Sequence, residues 1–187
     1  LDKGNNTLET VDYIYQLYKS GAKIIEGNHE SYVYRRLCGE IRPTDFEKEV
    51  FTSIEPLISS GSHREKFEEI YLNSLPFLNI KTKQSSFWVT HAPCKVKHLG
   101  KLDTESIKKQ RNFYFKDRIP DKLVEQLDFL KYPMPRNHFH VFGHVAHSTE
   151  NILFNGRYWL DTGSVYGNRL TSMHINNGDV TIKQELS

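Results

Sequence analysis

The sequence predicts an α/β fold of the layered-sandwich kind, and three observations lead to this prediction. Apolar residues recur with helical spacing in the segments before Pro76, and short strand-like segments follow it. Two Asn-Gly pairs, at Asn155 and Asn177, indicate hairpins in the second half. The predicted order is therefore a β-α-β start, a helical insert and a mostly antiparallel finish. We expect a single domain over 1–187, with the insert at about 31–76.

The first helix is predicted over 8–18, where apolar residues recur at spacings of three and four. Asn6 or Thr7 can cap this helix, and Gly21 can end it. The apolar segment 23–25 follows as a short strand.

The helical insert is predicted from two capping boxes, Thr44 with Glu47 and Ser62 with Glu65. In a capping box, a hydroxyl and a carboxylate three residues later satisfy free amide groups of the first helical turn. The boxes begin predicted helices over 44–59 and 62–73, and Pro76 ends the insert.

Short apolar segments bounded by polar turns predict the strands of the second half. These strands span 77–81, 87–90, 140–142, 152–154, 158–160, 170–175 and 180–183. Two helices are predicted among them, over 103–110 and 120–130. The alternating residues His138 and His140 are interpreted as ordinary strand residues.

The composition is ordinary for a globular protein, with 37% apolar and 26% charged residues among 187. A formal net charge of +2 without a dense Lys/Arg stripe argues against a strongly basic nucleic-acid binder. The apolar runs are too short for a membrane span. Cys38 and Cys94 lie far apart without C-x-x-C spacing, so we expect a reducing compartment and a cytoplasmic protein.

Polar residues with the chemistry of metal ligands follow several predicted strands. Asn28 and His29 come after the strand 23–25, His91 after 87–90, and His144 after 140–142. Because loops at the carboxyl ends of strands meet at one edge of an α/β sheet, these side chains can share a site. Imidazole nitrogens and amide oxygens suit manganese, iron and zinc. A neutral ligand set does not hold two dications by itself, and no carboxylate is obviously placed beside these loops.

Five segments carry a resemblance to calcineurin-like metallophosphoesterases. Gly27-Asn28-His29-Glu30 is identical to the G-N-H-E signature of this family. Thr90-His91-Ala92 resembles its later histidine motif, and Gly143-His144 resembles its G-H motif. The segment 160–171 resembles the closing segment of the branch that holds bacterial and phage Ser/Thr phosphatases, diadenosine tetraphosphatases and polynucleotide phosphatases. Asp2-Lys3-Gly4 resembles the end of G-D-x-x-D-R-G, with Lys3 in place of arginine.

This resemblance implies a metallophosphoesterase-type β-sandwich flanked by helices, with its first strand or strands missing from this chain. It also implies two divalent metal ions that activate water for phosphoester hydrolysis, manganese first and iron, nickel or zinc as alternatives. The implied substrate is a phosphorylated protein, a nucleotide or a nucleic-acid end. The resemblance therefore implies a phosphatase-type hydrolase.

The resemblance also implies roles for single residues. The implied ligands of the second metal are Asn28, His91 and His144. His29 is the implied general acid, which Asp2 orients, while Arg111 and Lys3 are implied contacts of the phosphate.

Two departures from the family pattern stand out. The Asp-x-His motif and the bridging Asp, which serve the first metal, are expected upstream of Leu1, which is not a methionine. His147 follows His144 with two residues between them, where the G-H-x-H branch has one, so His147 is interpreted as a neighbour of the site.

Three functions stay open at this point. The favoured one is a phosphomonoesterase of the protein-phosphatase type. The second is a dinucleoside-polyphosphate or nucleic-acid-end phosphatase of the same fold. The third, from a different class, is a non-catalytic binding module that lost one metal site. The physiological substrate, the metals and the oligomeric state do not follow from the sequence.

Overall fold

A computed structural model describes residues 6–40, 54–113, 128–147 and 152–186. The chain forms two units, Leu1–Leu75 and Pro76–Ser187, and the boundary falls where the predicted helical insert ends. The single-domain organisation over 1–187 stays a prediction. None of the helices within the described ranges combines the length and apolar character needed to cross a membrane.

The described part of the first unit is helical. Its helices are α1 (Thr7–Lys19), α2 (Asn28–Leu37), α3 (Glu55–Ser59) and α4 (Gly61–Leu72). The predicted first helix is confirmed, and Gly21 follows it with a φ of +102°. Six buried apolar residues hold the unit together: Val11, Val33, Leu37, Ile54, Leu57 and Phe67. Because these come from all four helices and the residue before α3, the core unites segments far apart in sequence.

Two local predictions for this unit need correction. The strand expected over 23–25 is reduced to one parallel bridge between Ile25 and Leu75. The capping box of Ser62 with Glu65 is wrong, because α4 begins one residue earlier and its N-cap is Ser60. The Ser60 hydroxyl lies 2.7 Å from Nδ1 of His63, so it pairs with an imidazole at the third helical position. The box of Thr44 with Glu47 lies outside the described residues.

The second unit contains a five-stranded mixed sheet and a separate hairpin. The sheet comprises β1 (Leu78–Lys81), β2 (Ser86–Val89), β3 (His138–Phe142), β4 (Leu153–Phe154) and β5 (Arg157–Trp159), in the order β1-β2-β3-β5-β4. The strands β2, β3 and β5 are parallel, and β1 and β4 pair antiparallel at the two edges. The hairpin comprises β6 (Arg169–Asn176) and β7 (Asp179–Leu186).

The expectation of a mostly antiparallel finish is therefore wrong for the centre of the sheet. A parallel pair needs a long crossover connection, and the segment from β2 to β3 supplies one. That segment contains a 3₁₀ turn at Val96–His98 and helix α5 (Thr104–Arg111), which confirms the helix predicted over 103–110. Of the helix predicted over 120–130, only its end is described, as a 3₁₀ turn at Asp128–Lys131.

Both Asn-Gly hairpins are confirmed, with positive φ at both turn residues: +51° and +78° at Asn155 and Gly156, and +53° and +105° at Asn177 and Gly178. The β6–β7 hairpin covers one face of the sheet. Buried Phe87, Val141 and Tyr158 of the sheet pack with Met173 and Ile182 of the hairpin. The described residues thus form a mixed α/β structure, as the sequence predicts.

Candidate functional site

Three polar turns follow the carboxyl ends of the three parallel strands. They span 90–92 after β2, 143–144 after β3 and 160–163 after β5, and we call them the rim. Backbone hydrogen bonds extend the strand pairing into the rim, from Thr90 N to Val141 O at 3.0 Å and from Gly143 N to His91 O at 2.9 Å. The rim is therefore held at the edge of a sheet where ligand-binding loops of α/β proteins meet.

The rim brings together two of the predicted ligands, His91 and His144. Nδ1 of His144 lies 3.2 Å from Nε2 of His91, and the two rings meet edge to face at 5.0 Å between centroids. His144 has a φ of +70°, in the left-handed region. Among the described residues, the other non-glycine residues with positive φ are all asparagines, which adopt this conformation more readily. Backbone strain of this kind is typical of functional turns.

The two imidazoles fit the positions of two ligands on one metal ion. Two nitrogens about 2.0–2.1 Å from one ion, at octahedral or tetrahedral angles, lie about 2.8–3.4 Å apart. The observed 3.2 Å between His91 and His144 falls within this range. Nε2 of His144 lies 3.2 Å from the carbonyl oxygen of Phe113. Metal-binding histidines commonly donate their second ring N–H to such a carbonyl, which leaves the lone pair of the other nitrogen for the metal.

The alternative tautomer of His144 has a partner as well. The backbone N–H of Phe113 lies 3.3 Å from Nε2 of His144 and donates when that nitrogen is unprotonated. In this case Nδ1 of His144 carries the proton and donates it to His91. Both tautomers therefore keep the two imidazoles in contact.

The described residues do not complete a metal centre. No group of three or more His, Cys, Asp or Glu side chains within the described ranges is placed to hold a metal ion. Asp161, on the third turn of the rim, accepts a hydrogen bond from the Gly163 N–H through Oδ1 at 3.2 Å. Its position beside the histidine turns is apparent only once β5 is known to lie parallel to β3.

His147 anchors the turn after β3. Its Nε2 lies 3.0 Å from the carbonyl oxygen of Trp159, and since a carbonyl only accepts, this nitrogen carries the proton. Its backbone N–H donates to the carbonyl oxygen of Asp161 at 3.0 Å. The interpretation of His147 as a neighbour of the site stays a prediction.

Arg111 lies close to both histidine turns along the backbone. The residue before it, Gln110, accepts a hydrogen bond from the Ala92 N–H at 2.8 Å, and Phe113 contacts His144 two residues later. The end of α5 is thus fixed beside the rim. Asp2 and Lys3 lie outside the described residues.

Asn28 and His29 belong to the first unit. They are the first two residues of α2, directly after its N-cap Gly27, so the loop predicted around them is the first turn of a helix. Amide groups in the first turn of a helix have no partner within the helix and favour anions nearby.

Cys94 follows the His91 turn and is buried. Burial raises the pKa of its thiol to about 12, so the group is a thiol at neutral pH. Cys94 therefore packs as a small apolar residue.

No protein-family model matches the chain. No curated protein matches it either.

Proposed function

We propose that the protein is a metal-dependent phosphoester hydrolase with a binuclear centre and the metallophosphoesterase-type sandwich. The observation that supports this most is the pair of imidazole nitrogens of His91 and His144, 3.2 Å apart at the rim. Two further features support it, namely the contact of His144 with Phe113 O and the positive φ of His144. The expected activity is that of a phosphomonoesterase of the protein-phosphatase type, in the cytoplasm.

In this proposal each residue has a defined task. The nitrogens of His91 and His144 would hold the second metal. When bound, two divalent ions, manganese first, provide a hydroxide near neutral pH and neutralise charge on the phosphate. His29 protonates the leaving oxygen, and Asp2 orients it. Arg111 and Lys3 contact the phosphate oxygens. The guanidinium of Arg111 suits this contact, because its planar arrangement of N–H donors matches the geometry of phosphate oxygens.

The test is manganese binding and hydrolysis of an aryl phosphate by the protein, together with any segment that precedes Leu1. His91→Ala and His144→Ala should each weaken manganese binding more than the loss of a residue that only orients a metal ligand does. Loss of such an orienting residue lowers metal affinity by about 10–100-fold. His174→Ala is the matched control, because His174 is an exposed histidine on β6. Absence of binding and turnover with manganese, nickel and iron would contradict the proposal.

A second candidate, a dinucleoside-polyphosphate or nucleic-acid-end phosphatase, is favoured by the charge around α5. Five exposed lysines surround this helix: Lys95, Lys97, Lys101, Lys108 and Lys109. Only Asp103 and Glu105 oppose them between residues 95 and 111. Such a surface attracts a polyanion through its phosphates.

A substrate panel separates these functions. Faster turnover of a dinucleoside tetraphosphate or a 3′-phosphorylated oligonucleotide than of a phosphopeptide, with strong salt dependence, would favour the second candidate. Metal binding without turnover of any substrate would favour a non-catalytic binding module.

A further inference from the structure

We propose that His140 is a positioning residue for His91 and acts through the hydroxyl of Thr90. The inference rests on the proposed function, since it concerns how one ligand of the metal is held. The sequence predicts an ordinary strand residue at His140, but its side chain is fully buried.

The Thr90 hydroxyl takes part in two hydrogen bonds. Oγ1 of Thr90 donates to the carbonyl oxygen of Ala92 at 2.7 Å, across His91. The same oxygen lies 2.8 Å from Nε2 of His140. A hydroxyl has one proton, so the hydroxyl that donates to Ala92 accepts from His140. Nε2 of His140 therefore carries a proton, and the chain of bonds runs from His140 through Thr90 to Ala92. We call it the clamp.

The clamp closes the turn that presents His91. Backbone bonds fix other groups of this turn, namely Thr90 N, His91 O and Ala92 N. The clamp fixes the carbonyl oxygen of Ala92 as well. Through Thr90 and His140 it connects this carbonyl to strand β3, which also leads into the His144 turn. The two ligand-bearing turns are thus connected through one buried imidazole.

Burial and charge keep His140 in the form that the clamp needs. Burial, assisted by Arg157 on the neighbouring strand, lowers the pKa of His140 to about 3, so the ring is neutral. With Nε2 protonated, Nδ1 of the neutral ring is an acceptor, and it has no hydrogen-bond partner among the described residues. A buried polar atom without a partner destabilises the fold, and an apolar residue at this position would avoid that cost. A histidine here therefore fits a positional task better than a stabilising one.

Variants of both members of the clamp test the inference. Thr90→Val removes the hydroxyl at nearly constant volume, while Thr90→Ser keeps it. His140→Leu removes the donor, and His140→Gln keeps an N–H near the position of Nε2. The matched control is Ser106→Ala, which breaks another buried hydroxyl–imidazole contact, 3.1 Å from Nδ1 of His98, outside the rim.

The first measurement is manganese affinity by titration calorimetry on the full-length protein. Thr90→Val and His140→Leu should raise the dissociation constant by about 10–100-fold, as for other groups that orient a metal-binding histidine. Thr90→Ser and His140→Gln should keep most of the affinity, and Ser106→Ala should match the wild type. Unchanged affinity in Thr90→Val and His140→Leu, with a wild type that binds manganese, would overturn the inference and leave the proposed function standing.

The second measurement needs no metal. Imidazole ¹H–¹⁵N correlation spectra should show His140 as the Nε2–H tautomer in the wild type, and Thr90→Val should shift the His91 ring signals. If the wild type binds no metal, the proposed function fails, and these spectra still decide whether the clamp positions His91. A His140 ring protonated at Nδ1, or His91 signals unchanged in Thr90→Val, would refute the clamp.

Discussion

Replacing Gly100 with alanine tests the packing that holds α5 beside the rim. Gly100 has a φ of +71°, and its N–H donates to Oε1 of the buried Gln110 at 3.1 Å. Gln110 in turn accepts the N–H of Ala92, next to His91. A Cβ at residue 100 would lie 2.6 Å from Cη2 of Trp88 and still closer to Cζ3. Either the indole ring or the loop must therefore move.

Three terms set the size of the effect. The left-handed conformation costs an L-residue about 1–2 kcal/mol. Overpacking against the ring adds about 1–3 kcal/mol. The lower entropy of the unfolded alanine chain offsets about 0.4–1 kcal/mol. The middle values of these terms give a net expected loss of about 3 kcal/mol of the free energy of unfolding. Gly167→Ala is the control, because Gly167 has a φ of +78° with no atom within 4 Å of the added Cβ.

Urea unfolding followed by tryptophan fluorescence measures this loss in the second unit, which contains Gly100. Both tryptophans of the protein, Trp88 and Trp159, lie in the second unit, so the signal reports on that unit alone. Gly167→Ala should lose about 1 kcal/mol from its conformation. Equal losses in Gly100→Ala and Gly167→Ala would contradict this prediction, because the two positions differ in the contact with the Trp88 ring.

Two further predictions concern buried groups. Cys94 has a thiol pKa raised to about 12 by burial, whereas Cys38 is exposed, so a thiol reagent at pH 8 should label one cysteine in the native protein and two after denaturation. Native labelling that persists in Cys38→Ser would contradict this. Burial lowers the pKa of His140 to about 3, below its unfolded value of 6.5. Between these values the unfolded chain binds one more proton than the folded chain, so the free energy of unfolding falls as the pH drops below 6.5. Between pH 7 and pH 5, protonation of this group in the unfolded chain should lower the free energy of unfolding by about 2 kcal/mol. His140→Gln should lack this loss, so parallel profiles of unfolding free energy against pH for the wild type and the variant would contradict the prediction.

Local sequence patterns predicted the elements whose conformation depends on residues close together in the sequence. The spacing of apolar residues predicted α1, and the Asn-Gly pairs predicted both hairpins, because positive φ at both turn residues is a property of those residues themselves. The N-cap of α4 was missed by the same kind of reasoning. Ser60 and Ser62 are both acceptable caps, and the pairing of Ser60 with His63 decides between them.

The sequence also predicted His91 and His144 as polar residues that follow strands. It did not determine that their strands are parallel neighbours, because strand pairing depends on the long crossover through α5 and on burial of the sheet against the β6–β7 hairpin. Three features are seen only in the folded chain: the 3.2 Å contact between the two rings, the place of Asp161 on the same rim and the burial of His140 against Thr90. The cause is the same in each case, because hydrogen bonds between residues about 50 positions apart depend on how strands pair, and no local propensity encodes that pairing.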